Sequence, residues 1–324
     1  MKLLVTGGAG FIGSYFIRQW LLEKPSDEII NLDVLSYAAS KQTIADFEKN
    51  PNYRFVQGDI CDEALVNDLV SHVDLIVHFA AESHVDRSII SSRDFVRSNV
   101  EGTRVLLDAA RSQSKAVRFH HVSTDEVFGS LKPDDPKFNE STPYDPRSPY
   151  SASKAASDHL VRSYYHTHGL PITISNCSNN YGPYQFPEKL IPRFISNLID
   201  GKKVPLYGDG ANIRDWIFVG DHVAGIMKII EKGRIGETYC LGGNNELANA
   251  EIASSLINLL DKDDSMIEYV PDRLGHDFRY AIDSSKAGRE LGWTPQVSFE
   301  EGIKQTVQWY VDNEAWWRPL LSII

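Results

Sequence analysis

The sequence is poor in cysteine and contains no long apolar run. Its three cysteines among 324 residues, Cys61, Cys177 and Cys240, are odd in number and widely spaced. That pattern excludes a disulfide framework and a thiolate metal centre, so no metal is expected, and it favours a reducing compartment. No apolar stretch reaches membrane-spanning length, and the first residues already read as a strand rather than a leader. A cytoplasmic protein away from membranes is expected. A basic excess is missing as well: 33 Lys and Arg face 44 Asp and Glu, a formal net charge of −11. Without a basic block, neither nucleic acid nor an anionic membrane is an expected partner. An anionic small molecule would have to be gripped by a few local cations and backbone amides. No internal repeat or low-complexity linker divides the chain, and its length suits one large or two modest domains.

What is present begins at the N-terminus. Lys2 to Val5 is a short apolar strand, followed at once by Gly7, Gly8, Gly10 and Gly13, then by apolar residues at helical spacing from Tyr15 to Leu22. Strand, glycine turn and helix in that order form a dinucleotide fingerprint, with Gly7, Gly10 and Gly13 letting backbone approach a pyrophosphate at the helix N-terminus. A second strand, Ile29 to Leu32, ends at Asp33, about twenty residues past the glycines. A carboxylate there bonds the adenosine ribose hydroxyls and repels a 2′-phosphate, so NAD is expected rather than NADP. Further strands are expected at residues 53–59, 73–81, 117–123 and 172–176, with helical patterns between them. The expected fold class is α/β, a doubly wound Rossmann-type parallel sheet, with Asp59 at a strand end facing the adenine. After residue 177 the alternation stops and turn-rich segments appear. The expected division is 1–176 for the cofactor and 177–324 for a smaller mixed α/β substrate domain. Strands at residues 214–219 and 237–241 are expected to return to the first domain. Trp309, Tyr310, Trp316 and Trp317 read as packing rather than a carbohydrate platform.

Two motifs carry chemistry. Tyr150 and Lys154 lie four residues apart, on one face of a helix. A nearby ammonium lowers the phenol's pKa, so that Tyr150 can take a hydroxyl proton while hydride leaves for a nicotinamide. Thr124, Asp125 and Glu126 add a neighbouring acid and base that a plain dehydrogenase does not need. An Asp-Glu pair alone reads as an exposed turn; behind a buried strand and ahead of Tyr150 the catalytic reading prevails. Two adjacent carboxyls favour one protonated and one ionised form. Arg214, in an apolar strand beside Trp216, is expected to bind phosphate through its planar fork. His84, His120 and His121 read as structural.

These motifs resemble the extended short-chain dehydrogenases/reductases, and within them the dTDP-glucose 4,6-dehydratase family, over essentially the whole chain. The superfamily features are GGAGFIGS at 7–14 and YSASK at 150–154. The narrower ones are the Thr-Asp-Glu triplet in STDEVFG at 123–129, SNNYGPYQFPEKL at 178–190 and DRLGHD at 272–277, and IRDW at 213–216 completes the set. The resemblance implies NAD contacts from Phe11, Ile12, Asp33, Val34, Leu35, Ser36, Asp59, Ile60, Phe79, Ala80, Ala81, Ser98, Tyr150, Lys154 and Asn180. It implies sugar-nucleotide contacts from Ser83, Thr124, Asn179, Lys189, Leu190, Pro205, Tyr207, Arg214, Asn249, Arg273 and His276. The sequence departs from the family after Asp33, where Val34, Ser36, Ala39 and Ser40 replace a more Lys-, Thr-, Gly- and Asn-rich loop.

The implied reaction converts dTDP-glucose to dTDP-4-keto-6-deoxyglucose. Oxidation at C4 makes the C5 hydrogen acidic, Glu126 removes it, Asp125 helps the C6 hydroxyl leave, and hydride returns to C6. A UDP-glucose 4,6-dehydratase, a nucleotide-sugar 4-epimerase or a uronate decarboxylase would share the fold, glycines and Tyr-Lys pair. The latter two would not need both carboxyls beside Thr124. A catalytically idle NAD-binding scaffold on the same fold conflicts with intact Asp125, Glu126, Tyr150 and Lys154. A homodimer built from helices around 102–111 and 150–168 is expected by analogy with related enzymes.

Overall fold

The structure, a computed structural model, describes residues 1–272 and 275–323. Twelve strands appear in chain order: β1 Lys2–Thr6, β2 Glu28–Asp33, β3 Tyr53–Gln57, β4 Leu75–His78, β5 Arg118–Thr124, β6 Ile172–Cys177, β7 Asn179–Tyr181, β8 Val204–Tyr207, β9 Ile213–Phe218, β10 Thr238–Leu241, β11 Glu246–Ala248 and β12 Ile267–Val270. Seven of them form one sheet in the order β10-β6-β5-β4-β1-β2-β3, with all pairings parallel. Strand order reverses between β1 and β4, which opens a crevice at the carboxyl ends of those strands.

Both faces of this sheet are covered, as its central strands, buried along nearly their whole length, require. Leu3 and Val5 point to one side, where they join Phe16, Ile17 and Trp20 of the helix Phe11–Glu23 and Val223, Ile226 and Ile230 of the helix Val219–Lys232. Leu4, between them, points to the other side and joins Leu106, Val161 and Leu69. Each fully buried side chain of this size contributes roughly 1.5–3 kcal/mol.

The second half is smaller and mixed. A three-stranded sheet β11-β9-β7 and a two-stranded pair β12-β8 pack against the helices Leu190–Ile199, Asn249–Leu259 and Phe299–Asp312. Its core includes Tyr181, Phe194, Trp216, Tyr310 and Trp317. Trp309 and Trp316 meet edge to face at 5.1 Å, and Trp317 is fully buried, so the tail aromatics are packing groups.

One expected return strand is corrected. β10 does rejoin the large sheet beside β6, but β9 pairs with β7 and β11 instead. Apolar composition marks a buried strand without marking its neighbour, and Gly243 lets the chain fold β11 back onto β9: a Cβ there would lie 1.9 Å from the Trp216 carbonyl oxygen.

Candidate active site

The floor of a cavity of about 500 Å³ is the glycine turn after β1. Gly7 has φ +72°, and a Cβ on it would lie 2.6 Å from the Ala80 nitrogen; a Cβ on Gly13 would lie 2.3 Å from the Gly7 carbonyl oxygen. Only glycine leaves this cradle open. The helix Phe11–Glu23 starts at Gly10 without a side-chain cap, so its first amides suit an anionic ligand such as a pyrophosphate. Across from it Asp33, at the end of β2, accepts from the amides of Ala9 at 2.9 Å and Leu35 at 2.8 Å. Burial raises its pKa, and those two bonds oppose the rise. These features fit a dinucleotide whose ribose meets a carboxylate.

Gly10, Phe11, Ile12, Val34, Ser36, Asp59 and Ile60 line the cavity above β1 to β3. Phe79, Ala80, Ala81, Ser98 and Asn180 line it farther along. Ser98 belongs to a π-helical turn, Val96–Gly102, whose next residue Asn99 ties the backbone of Glu82 to Ser153. Such turns often mark functional positions. Leu35 departs from expectation. Its backbone is left-handed, φ 57°, its side chain packs on the core, and it gives Asp33 only its amide. Arg97, which no sequence pattern marked, pairs with Asp59 at 2.7 Å.

The chemical end lies above β5 and β6. Thr124 closes β5 and caps a 3-10 turn, Asp125–Phe128, accepting from the Glu126 amide at 3.2 Å and donating to Asp125 Oδ1 at 3.3 Å. Asn176 fixes this turn by donating to the Thr124 carbonyl at 3.0 Å. Asp125 is 1% exposed. Burial, reinforced by Glu126 and Asp215, pushes its carboxyl well above the ordinary range, so it holds a proton. Glu126 is half-buried and lines this cavity and the next.

Tyr150 opens the helix Pro149–His168, which begins with a capping box between Ser148 and Ser151. Its phenol lines the cavity within hydrogen-bonding influence of Thr124. The expected lowering of the phenol by Lys154 is not what the structure shows. Burial comes first, then the Glu126 charge, and together they raise Tyr150 well above its ordinary value. Lys154 stands one layer back, 4% exposed, donating to the Val122 carbonyl at 2.9 Å and lying 3.4 Å from His121 Nε2. Burial lowers its own pKa.

A second cavity of about 190 Å³ adjoins the first and shares Ser83, Glu126, Asn179, Glu188 and Lys189 with it. Leu190, Pro205, Tyr207, Arg214, Asn249 and His276 line it too. Arg273 lies outside the described residues. Arg214 is 5% exposed, donates to the carbonyls of Ile213, Phe278 and Asp277, and sits 4.3 Å over the Tyr280 ring. Lys189 Nζ donates to the Ser83 carbonyl at 2.7 Å. Local cations thus gather in a protein of negative net charge. His84, expected to be purely structural, also lines this cavity while accepting from the Arg87 amide. Glu188 was missed although it sits inside the PEKL segment; it accepts from the Tyr37 hydroxyl at 2.9 Å and pairs with Arg87 at 3.3 Å. Among the described residues, no His, Cys, Asp and Glu cluster is placed to hold a metal.

The fold and the joined cavities define a nucleotide-sugar enzyme of the extended short-chain dehydrogenase/reductase type. The family profile described as GDP-mannose 4,6 dehydratase matches residues 4–306. A dTDP-glucose 4,6-dehydratase of Neisseria meningitidis is 48% identical over 99% of this chain and 96% of its own length. One of Mycobacterium tuberculosis is 51% identical with the same shares. The crystal structure of the Streptomyces venezuelae dTDP-glucose 4,6-dehydratase with NAD bound is 52% identical and superposes with a TM-score of 0.96, over 99% of this chain and all of that one. The chain belongs to the dTDP-glucose 4,6-dehydratase family.

Proposed function

We propose that this protein converts dTDP-glucose to dTDP-4-keto-6-deoxyglucose with NAD held in the larger cavity. One observation carries the reading: Glu126 faces both cavities while its neighbour Asp125, buried in the wall of the larger one, holds a proton. NAD, when bound, supplies a positively charged nicotinamide that accepts hydride from C4 and returns it to C6. Tyr150 takes the C4 hydroxyl proton; positive charge entering beside it, with Lys154 behind, opposes the burial that otherwise keeps it a phenol. Glu126 removes the C5 proton once C4 is a ketone, and Asp125 delivers its proton to the departing C6 hydroxyl as water. Glu126 then returns a proton to C5, and the proton taken up by Tyr150 replaces the one Asp125 gave, so the cycle is redox-neutral and releases one water. Lys189, Arg214, Asn179 and Asn249 hold the sugar nucleotide in the smaller cavity.

Residues 1–176 serve the cofactor and 177–324 mainly the substrate. Two copies pair through the helices Thr103–Ser112 and Pro149–His168; exposed Ile90 and Val96, on segments leading into the first of these, support that reading. Light scattering at micromolar concentration then gives twice the 36.4 kDa chain mass. Three free thiols agree with a cytoplasmic location, and no helix among the described residues is long and apolar enough to cross a membrane.

The deciding test is incubation of purified protein, without added NAD, with dTDP-glucose and separately with UDP-glucose. Mass spectrometry should find the 4-keto-6-deoxy product from dTDP-glucose. Preference for UDP-glucose would reassign the base, and consumption of one NAD per product by stripped enzyme would remove the dehydratase reading.

A further inference from the structure

Behind the Tyr150–Lys154 pair lies a second set of ionisable groups with no part in the reaction as described. His121 on β5 and Asp158, one helical turn beyond Lys154, are both fully buried, with His121 Nε2 3.1 Å from Asp158 Oδ1 and 3.4 Å from Lys154 Nζ. His121 Nδ1 has no hydrogen-bond partner among the described residues. Asp158 Oδ1 likewise has no hydrogen-bond partner among the described residues, so the 3.1 Å approach is a close contact and not a hydrogen bond, and His121 Nε2 also lies 3.2 Å from Ser157 Oγ. The other Asp158 oxygen accepts from Ser123 Oγ at 2.9 Å, the Tyr144 hydroxyl at 2.8 Å and Asn176 Nδ2 at 3.3 Å. Burial works against its charge, but these bonds and the neighbouring His121 and Lys154 hold it ionised.

A buried ammonium needs a buried counter-charge. The titratable groups that face Lys154 are Asp158 on its own helix, His121 on β5, His78 on β4 and Cys177 on β6. Burial keeps His78 and His121 neutral and pushes the Cys177 thiol up, so it stays uncharged too. Tyr144 and Arg162 face Asp158 from the far side. Of this set, Asp158 alone carries negative charge to Lys154.

We propose that Asp158 is a positioning residue for the redox step: its carboxylate, one helical turn from Lys154, is the counter-charge that keeps Lys154 an ammonium behind Tyr150. The proposal rests on the roles given above to Tyr150 and Lys154. Without that charge the amine gives up its proton at lower pH, and Tyr150 loses one of the two positive charges that oppose its burial.

The test compares NAD-loaded wild type, Asp158→Asn and Tyr144→Phe. Bound reduced nicotinamide formed in a single turnover is followed against pH, and the Lys154 amine is titrated by nitrogen NMR of lysine-labelled protein. In Asp158→Asn both the Lys154 titration and the alkaline limb of the oxidation rate should move down by about one pH unit or more. KM and NAD content should stay within about twofold. Tyr144→Phe removes a hydrogen bond to Asp158 but leaves its charge, so it should lower the melting temperature without moving the limb. Should Asp158→Asn not fold, Asp158→Ser, which also removes the charge but keeps a hydroxyl for hydrogen bonding, should shift the limb in the same direction. A rate lowered by one factor at every pH, with the Lys154 titration unmoved, would make Asp158 a purely structural residue and overturn the proposal. Tyr150→Phe separates the two levels. If it still forms reduced nicotinamide, the reading of the Tyr-Lys pair fails; if it does not while Asp158→Asn matches wild type, only the role of Asp158 fails.

Discussion

Because Asp125 is buried beside Thr124 in the wall of one cavity while Glu126 reaches both, two adjacent carboxyls meet a substrate in different ways. Asp125 holds a proton to give, and Glu126 is the group that can take one from C5. Glu126→Gln should therefore still oxidise C4, leaving reduced nicotinamide bound, but should not exchange the C5 hydrogen with solvent deuterium. Turnover should fall by two to four decades, about 3–5 kcal/mol for a positioned base. Normal exchange would take Glu126 out of that role. Arg214 belongs to the other cavity, so Arg214→Ala should raise the substrate KM by about one to two decades and spare NAD content. An unchanged KM would show that its guanidinium serves only the carbonyls of Ile213, Asp277 and Phe278. Residues of this kind were legible because their chemistry sits in short contiguous motifs. His121 was not: inside an apolar strand it looks like any buried histidine, and only folding brings it against Lys154. The direction of the Tyr150 shift was hidden for a related reason, since a one-turn spacing reveals proximity but not depth.

At the scale of elements, the glycine turn and the helix after it act as one unit. The helix begins uncapped at Gly10, and Gly13 packs against the Gly7 carbonyl so closely that a methyl group would displace it. Gly13→Ala should leave a folded protein, by circular dichroism, that has lost its NAD. Retained NAD at wild-type occupancy would mean that the turn yields without cost, against the 2.3 Å approach. The capping box of the helix Pro149–His168, between Ser148 and Ser151, emerged only with the structure, since a serine at its fourth position lacks the usual Glu or Gln. Strand pairing was not legible either. β9 and β10 are both apolar, yet one closes the large sheet and the other builds the small one. Periodicity records which side chains are buried; the partner is set by long-range packing, here by the tight turn that lays β11 on β9.

For the whole molecule, burial of histidine gives stability a pH dependence of fixed sign. His120 and His222 are pushed down to about 3 and His121 to about 4, while His78 also falls well below its ordinary value. Burial is the leading cause in each case. The unfolded chain takes up these protons near pH ~6.5, whereas the native chain does so only lower. Their contribution is thus fully present above that pH and is lost as pH falls through the native values. Asp125, and Asp215 at about 6, act oppositely, because their raised native values favour the folded state as pH drops. A single substitution separates these opposing trends. His222, on the helix Val219–Lys232 packed over the large sheet, shifts by burial alone, and its Nδ1 lies 2.8 Å from Asn180 Oδ1. A glutamine there can keep the bond to Asn180 but cannot titrate. In His222→Gln, unfolding free energy measured in denaturant from pH 6.5 to 4.5 should fall less steeply than in wild type. The slopes should differ by the weight of about one proton, ~1.4 kcal/mol per pH unit. Parallel curves would mean that His222 binds its proton equally in both states, and so that burial between the second-half helix and the first-half sheet does not hold it neutral.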